Sequence, residues 1–137
     1  MEPTQTSRGR VGVLRFFAVA AVVFGIMTVI SGGRVLFGGE EARRLAGAYV
    51  GFVLVFNFMA GFAYVLAGAG LWRWRRWAVW LSIGIAVATV LVYGALGLHI
   101  LAGGAFEMRT VWAMLLRSAV WVSIAILALR WMPVGKR

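Results

Sequence analysis

Three stretches without a single charged side chain, Phe16–Gly33, Leu45–Trp72 and Trp77–Phe106, decide what this chain can fold into. A hydrocarbon core about 30 Å thick is crossed by about 20 apolar residues in a helix, and each stretch reaches or approaches that length. A fourth, Thr110–Leu129, is interrupted only by Arg117. The stretches lack period-two alternation and exceed the length of barrel strands, and backbone groups in lipid must be satisfied internally. The sequence therefore predicts an all-α integral membrane protein, a single transmembrane domain over residues 1–137. Its four transmembrane helices are expected at about Val11–Ile30, Gly47–Trp72, Trp77–Ala102 and Val111–Trp131, in an up-down-up-down bundle. Composition agrees: 63% of the residues are hydrophobic and 13% charged, where soluble domains carry about 25% charged residues. The first apolar stretch follows Arg8 and Arg10 as in a signal peptide. It is longer than the usual apolar region of about 7–15 residues, and no small-x-small cleavage site follows, so a retained helix is expected.

Basic residues divide unevenly between the two ends of such a bundle. Arg8, Arg10, Arg15, Arg73, Arg75, Arg76, Arg130, Lys136 and Arg137 fall on one side against Glu2 alone. Arg34, Arg43, Arg44 and Arg109 fall on the other, against Glu40, Glu41 and Glu107. Loops rich in arginine stay in the cytoplasm, so both termini are expected there, in a multi-pass protein of a bacterial inner membrane. Trp72, Trp74, Trp77, Trp80 and Trp131 gather at the same cytoplasmic boundary, where indole rings anchor. The net charge of +10 then faces anionic lipid, which explains the basic balance without nucleic acid; no nucleic-acid partner is expected.

Small residues recur at helical spacing. Ala18, Ala21, Gly25 and Thr28 line one side of the first helix, Gly47 and Gly51 form a GxxxG pair, and Gly61 and Gly68 lie a heptad apart. The third helix offers Ser82, Ala86, Thr89, Tyr93 and Gly97; the fourth has Ala119 and Ser123. Such stripes let helix backbones approach in lipid, within one chain or between copies, and a homo-oligomer or a larger membrane complex is expected. An internal echo, Gly38-Gly39-Glu40-Glu41-Ala42-Arg43 and Gly103-Gly104-Ala105-Phe106-Glu107-Met108-Arg109, suggests two similar hairpins. Glycines that end helices and glutamates near the next N-terminus also account for it.

Polar residues inside a membrane are costly, so their placement carries the most functional information. With both termini cytoplasmic, Thr28, Tyr93, His99 and Arg117 fall in the outer half and Asn57 near the midplane, below Glu40, Glu41 and Glu107. This gives a candidate outer-half binding cluster of Asn57, Tyr93, His99, Glu107, Arg117 and Glu41. Arg117 is expected to pair with Glu107 as a structural tie, or to contact a ligand. Asn57 bonds a neighbouring helix or serves the same site. His99, the sole histidine, reads as a packing residue, with haem or metal ligation the sharper alternative.

Chemistry is scarce elsewhere. The chain has no cysteine, which removes thiolate metal sites and cysteine nucleophiles, and no aspartate. It contains no HExxH, GxSxG, P-loop or GxGxxG motif. No catalytic residue, no cofactor and no dedicated metal site is expected. The leading expectation is a small polytopic protein without enzymatic chemistry, acting as an accessory, structural or assembly component through helix contacts. The alternatives are a small oligomeric transporter or channel using the outer polar cluster, and a protein binding haem, a metal or a quinone at His99.

Overall fold

The computed structural model describes residues 5–132, with side chains from residue 7; Glu2, Lys136 and Arg137, which enter the charge count, lie outside them. The described residues form five helices: α1 (Gln5–Phe37), α2 (Gly39–Ala46), α3 (Gly51–Trp72), α4 (Arg76–Leu101) and α5 (Met108–Trp131). No strand occurs among them. α1, α3, α4 and α5 are each long and apolar enough to cross a membrane, which defines a multi-pass membrane protein. Large apolar side chains such as Phe16, Leu91, Leu98 and Leu116 are exposed on the outer surface of the bundle. In water that surface would be a liability; in lipid it is the solvated face.

The helix boundaries differ from the expectation in several places, among them the starts of α1 and α5, which come six and three residues earlier than expected. α1 continues past Ile30 through Arg34 to Phe37, because a charge at a helix end does not stop a helix. A short amphipathic helix, α2, occupies the segment that reads as a charged loop, with Glu40 and Glu41 in its first turn and Arg43 and Arg44 in its last, the arrangement that suits the helix dipole. α3 begins at Gly51 rather than Gly47, because Gly47 takes φ +73 and turns the chain between α2 and α3.

The dominant interface joins α1 to α3, with α4 packed on α3 and α5, while α1 and α5 touch only sparsely. Glycine makes the α1–α3 interface possible. A Cβ on Gly25 would lie 2.6 Å from the Gly61 carbonyl, one on Gly68 2.6 Å from the Ala18 carbonyl, and one on Gly61 2.7 Å from the Val29 side chain. Ala18, Ala21, Gly25 and Thr28 are all buried, so this stripe serves packing within the chain. The Gly47–Gly51 pair does not act as a packing motif: a Cβ added at Gly51 would meet nothing within 4 Å, and Gly47 is a turn residue.

α3 and α4 end in the same hydrogen-bond pattern. After α4, Gly103 at φ +83 donates to Ile100 and Gly104 donates to His99. After α3, Trp74 donates to Leu71 and Arg75 to Gly70, with Trp74 itself at φ +54. These are Schellman motifs. A non-glycine residue is tolerated at the second because the Trp74 ring packs against the core cluster.

Candidate functional site

The α2 end of the bundle opens into a cleft of about 740 Å³ between α1, α2, α3 and α5, within the range typical of small-ligand sites. Its rim is built by the start of α5. Glu107 accepts the Ala48 N–H at 2.8 Å. Arg109 donates to the carbonyls of Ala46 at 3.0 Å and Leu45 at 3.4 Å, the last carbonyls of α2, where a cation also meets the favourable end of the helix dipole. Two residues at the head of α5 thus hold the α2–α3 connection in place. Arg43 adds a bond to the Leu36 carbonyl at 3.3 Å.

The floor is Arg117. It lies nine positions into α5, roughly 13–14 Å along the helix axis, deeper than expected because α5 starts three residues earlier than the sequence suggests. Its side chain is 9% exposed. Nη2 donates to Thr28 Oγ1 at 3.3 Å, a long bond. The guanidinium lies over the Phe24 ring, 5.1 Å from its centroid, a favourable placement for a cation. That ring stacks parallel on Tyr64 at 6.0 Å, and Tyr64 in turn packs on Trp121 at 4.8 Å. Nε and Nη1 are buried and make no hydrogen bond. Arginine presents five N–H donors and stays charged, and the three on Nε and Nη1 go unused.

The expected pair with Glu107 does not form, because Glu107 is committed to the Ala48 N–H and Arg117 to Thr28. Asn57, six positions into α3, lines the same cleft, and its Oδ1 is buried without a partner. It sits nearer the α2 end than the midplane position expected. Ser31, Arg34, Tyr49 and Thr110 complete the polar lining. The lining thus contains three arginines, Arg34, Arg109 and Arg117, and no carboxylate. Oriented donors and an excess of positive charge in a low-dielectric wall attract anions.

The other candidate residues lie elsewhere. Tyr93 packs against a small cluster of Val50, Val53, Leu96 and Met114. His99, in the last turn of α4, donates its Nε2–H to the Ala105 carbonyl at 3.1 Å, and its ring meets Phe52 edge-on at 6.1 Å, which ties the end of α4 to the α4–α5 loop. Glu41 is exposed on α2. Among the described residues, no three His, Cys, Asp or Glu side chains come together as a metal site requires. The sequence pattern does not mark Phe24 and Trp121 as site residues. In an apolar helix an aromatic ring reads as core, and nothing in the one-dimensional pattern says that a cation rests on it.

Comparison of the chain with protein-family models, curated proteins and solved structures gives no match.

Proposed function

We propose that this protein is a non-enzymatic, multi-pass protein of a cell inner membrane that binds an organic anion in the cleft floored by Arg117. Both termini are cytoplasmic in this reading and the helices run up-down-up-down, so the α2 end and the cleft mouth face outward. The excess of Arg8, Arg10, Arg15, Arg73, Arg75, Arg76 and Arg130 at the opposite end supports that orientation. One observation carries the binding reading: a guanidinium nine-tenths buried, with Nε and Nη1 unpaired and no carboxylate in the surrounding lining. A charge so placed is costly in a membrane, and a bound anion offsets that cost in a cleft that no carboxylate lines. The test is thermal unfolding of the detergent-solubilised protein with butyrate, with chloride as the control. At about 100 times Kd a ligand stabilises by about 2.7 kcal/mol. Arg117→Gln removes the charge and keeps a polar side chain; it should abolish the stabilisation. Equal stabilisation of wild type and variant would refute the reading.

A second reading, an accessory role through helix contacts with another copy or a larger complex, is supported by α4. Side chains added at Gly84 and Gly94 on that helix would meet nothing within 4 Å, and the two glycines leave a shallow surface that another helix fits closely. Its test for contact between copies is the mass of the solubilised particle: a dimer supports self-association through α4 and a monomer removes it.

A further inference from the structure

Arg117 belongs to two cavities at once. Besides the polar cleft, it lines a groove of about 310 Å³ between α1 and α5, walled by Ala20, Phe24, Met27, Leu116, Val120 and Trp121. Apart from Arg117, every residue lining this groove is apolar or aromatic. The groove exists because α1 and α5 barely touch, and it opens sideways, where the bundle surface consists of exposed apolar side chains such as Val23 and Leu116. The one cation therefore stands at the junction of a polar chamber and an apolar slot that opens toward lipid.

We propose that the anion bound here is a single-chain amphiphile of the fatty-acid type, its carboxylate at Arg117 and its chain in the α1–α5 groove, entering sideways from the bilayer. This rests on the anion reading above and names its ligand class. Charge matching favours a carboxylate: the floor holds one guanidinium, and Arg109, at the rim, is committed to the α2 carbonyls. One positive charge neutralises a monoanion, whereas a phosphate dianion needs a second cation at the same depth. A soluble short anion would use the cleft and leave the groove empty.

The experiment uses the full chain in phosphatidylcholine vesicles with a palmitate carrying a mid-chain diazirine. Irradiation should label residues 20–27 of α1 and 116–124 of α5. Labelling there should fall about tenfold in Arg117→Gln, the loss of one charge-assisted contact. Ala20→Trp fills the groove from an exposed position on α1. It should remove groove labelling equally while leaving stabilisation by butyrate unchanged; Met27→Trp is the substitute if Ala20→Trp does not fold. Label scattered over all lipid-facing surfaces, or groove label indifferent to both variants, overturns the proposal. Stabilisation by butyrate without groove labelling overturns the chain-in-groove proposal and leaves the anion reading standing. Absence of both removes the two together.

Discussion

A single methyl group added at Gly25 should separate α1 from α3. The new Cβ would stand 2.6 Å from the Gly61 carbonyl oxygen and 2.9 Å from both Tyr64 Cβ and a Val65 methyl. The first two belong to backbone or to an atom fixed by backbone, so no side-chain rotation relieves them, and the helices themselves must move. Overpacking of this kind costs about 1–3 kcal/mol. The same substitution at Gly84, on an open face of α4 with nothing within 4 Å, meets no clash. Both changes share the gain in helix propensity, up to about 1 kcal/mol, so the difference between Gly25→Ala and Gly84→Ala isolates the contact. We expect Gly25→Ala to be less stable than Gly84→Ala by about 1–3 kcal/mol. The assay is equilibrium unfolding in mixed dodecylmaltoside–SDS micelles, followed by circular dichroism. Equal stability of the two variants would refute the claim that the glycine stripe is an intramolecular seam.

Glu107→Ala leaves the Ala48 N–H without its acceptor and should cost about 1 kcal/mol in the same unfolding assay. Combined with Arg117→Leu, the effects should add, because the two side chains serve different partners; a coupling energy above the experimental error would restore the ion pair. Single cysteines placed by Glu40→Cys and Arg75→Cys should react with an impermeant maleimide from opposite faces of the membrane, Glu40→Cys from outside intact cells. Reaction of Arg75→Cys in intact cells would invert the orientation.

The four spans are legible because charge-free length is a strong one-dimensional signal, and burial plays almost no part in it. What escapes the sequence depends on three-dimensional geometry. α2 is hidden because Glu40, Glu41, Arg43 and Arg44 read as a solvated loop, although that charge order also stabilises a helix. The start of α3 is misplaced because Gly47 lies inside an uncharged run, and only its φ of +73 breaks the helix there. Arg117 and Asn57 stand out as polar residues at a cost in the membrane, and the cleft holds both. The partners of Arg117 are not legible. Glu107 caps the same helix ten positions before Arg117, roughly 15 Å of rise away, and the contacts to Phe24 and Thr28 depend on how α1 lies against α5. Tyr93 and His99 share the depth of the cleft but face other neighbours.

In this reading Arg117 is a cation without a counter-charge that receives an anion. Its Nε–H, which has no hydrogen-bond partner, is observable as a nitrogen–proton correlation in 15N-labelled, detergent-solubilised protein, assigned by its disappearance in Arg117→Lys. Titration with butyrate should move that resonance saturably, while chloride at equal ionic strength leaves it in place. A resonance unmoved by butyrate would contradict the account, as would one shifted equally by both salts.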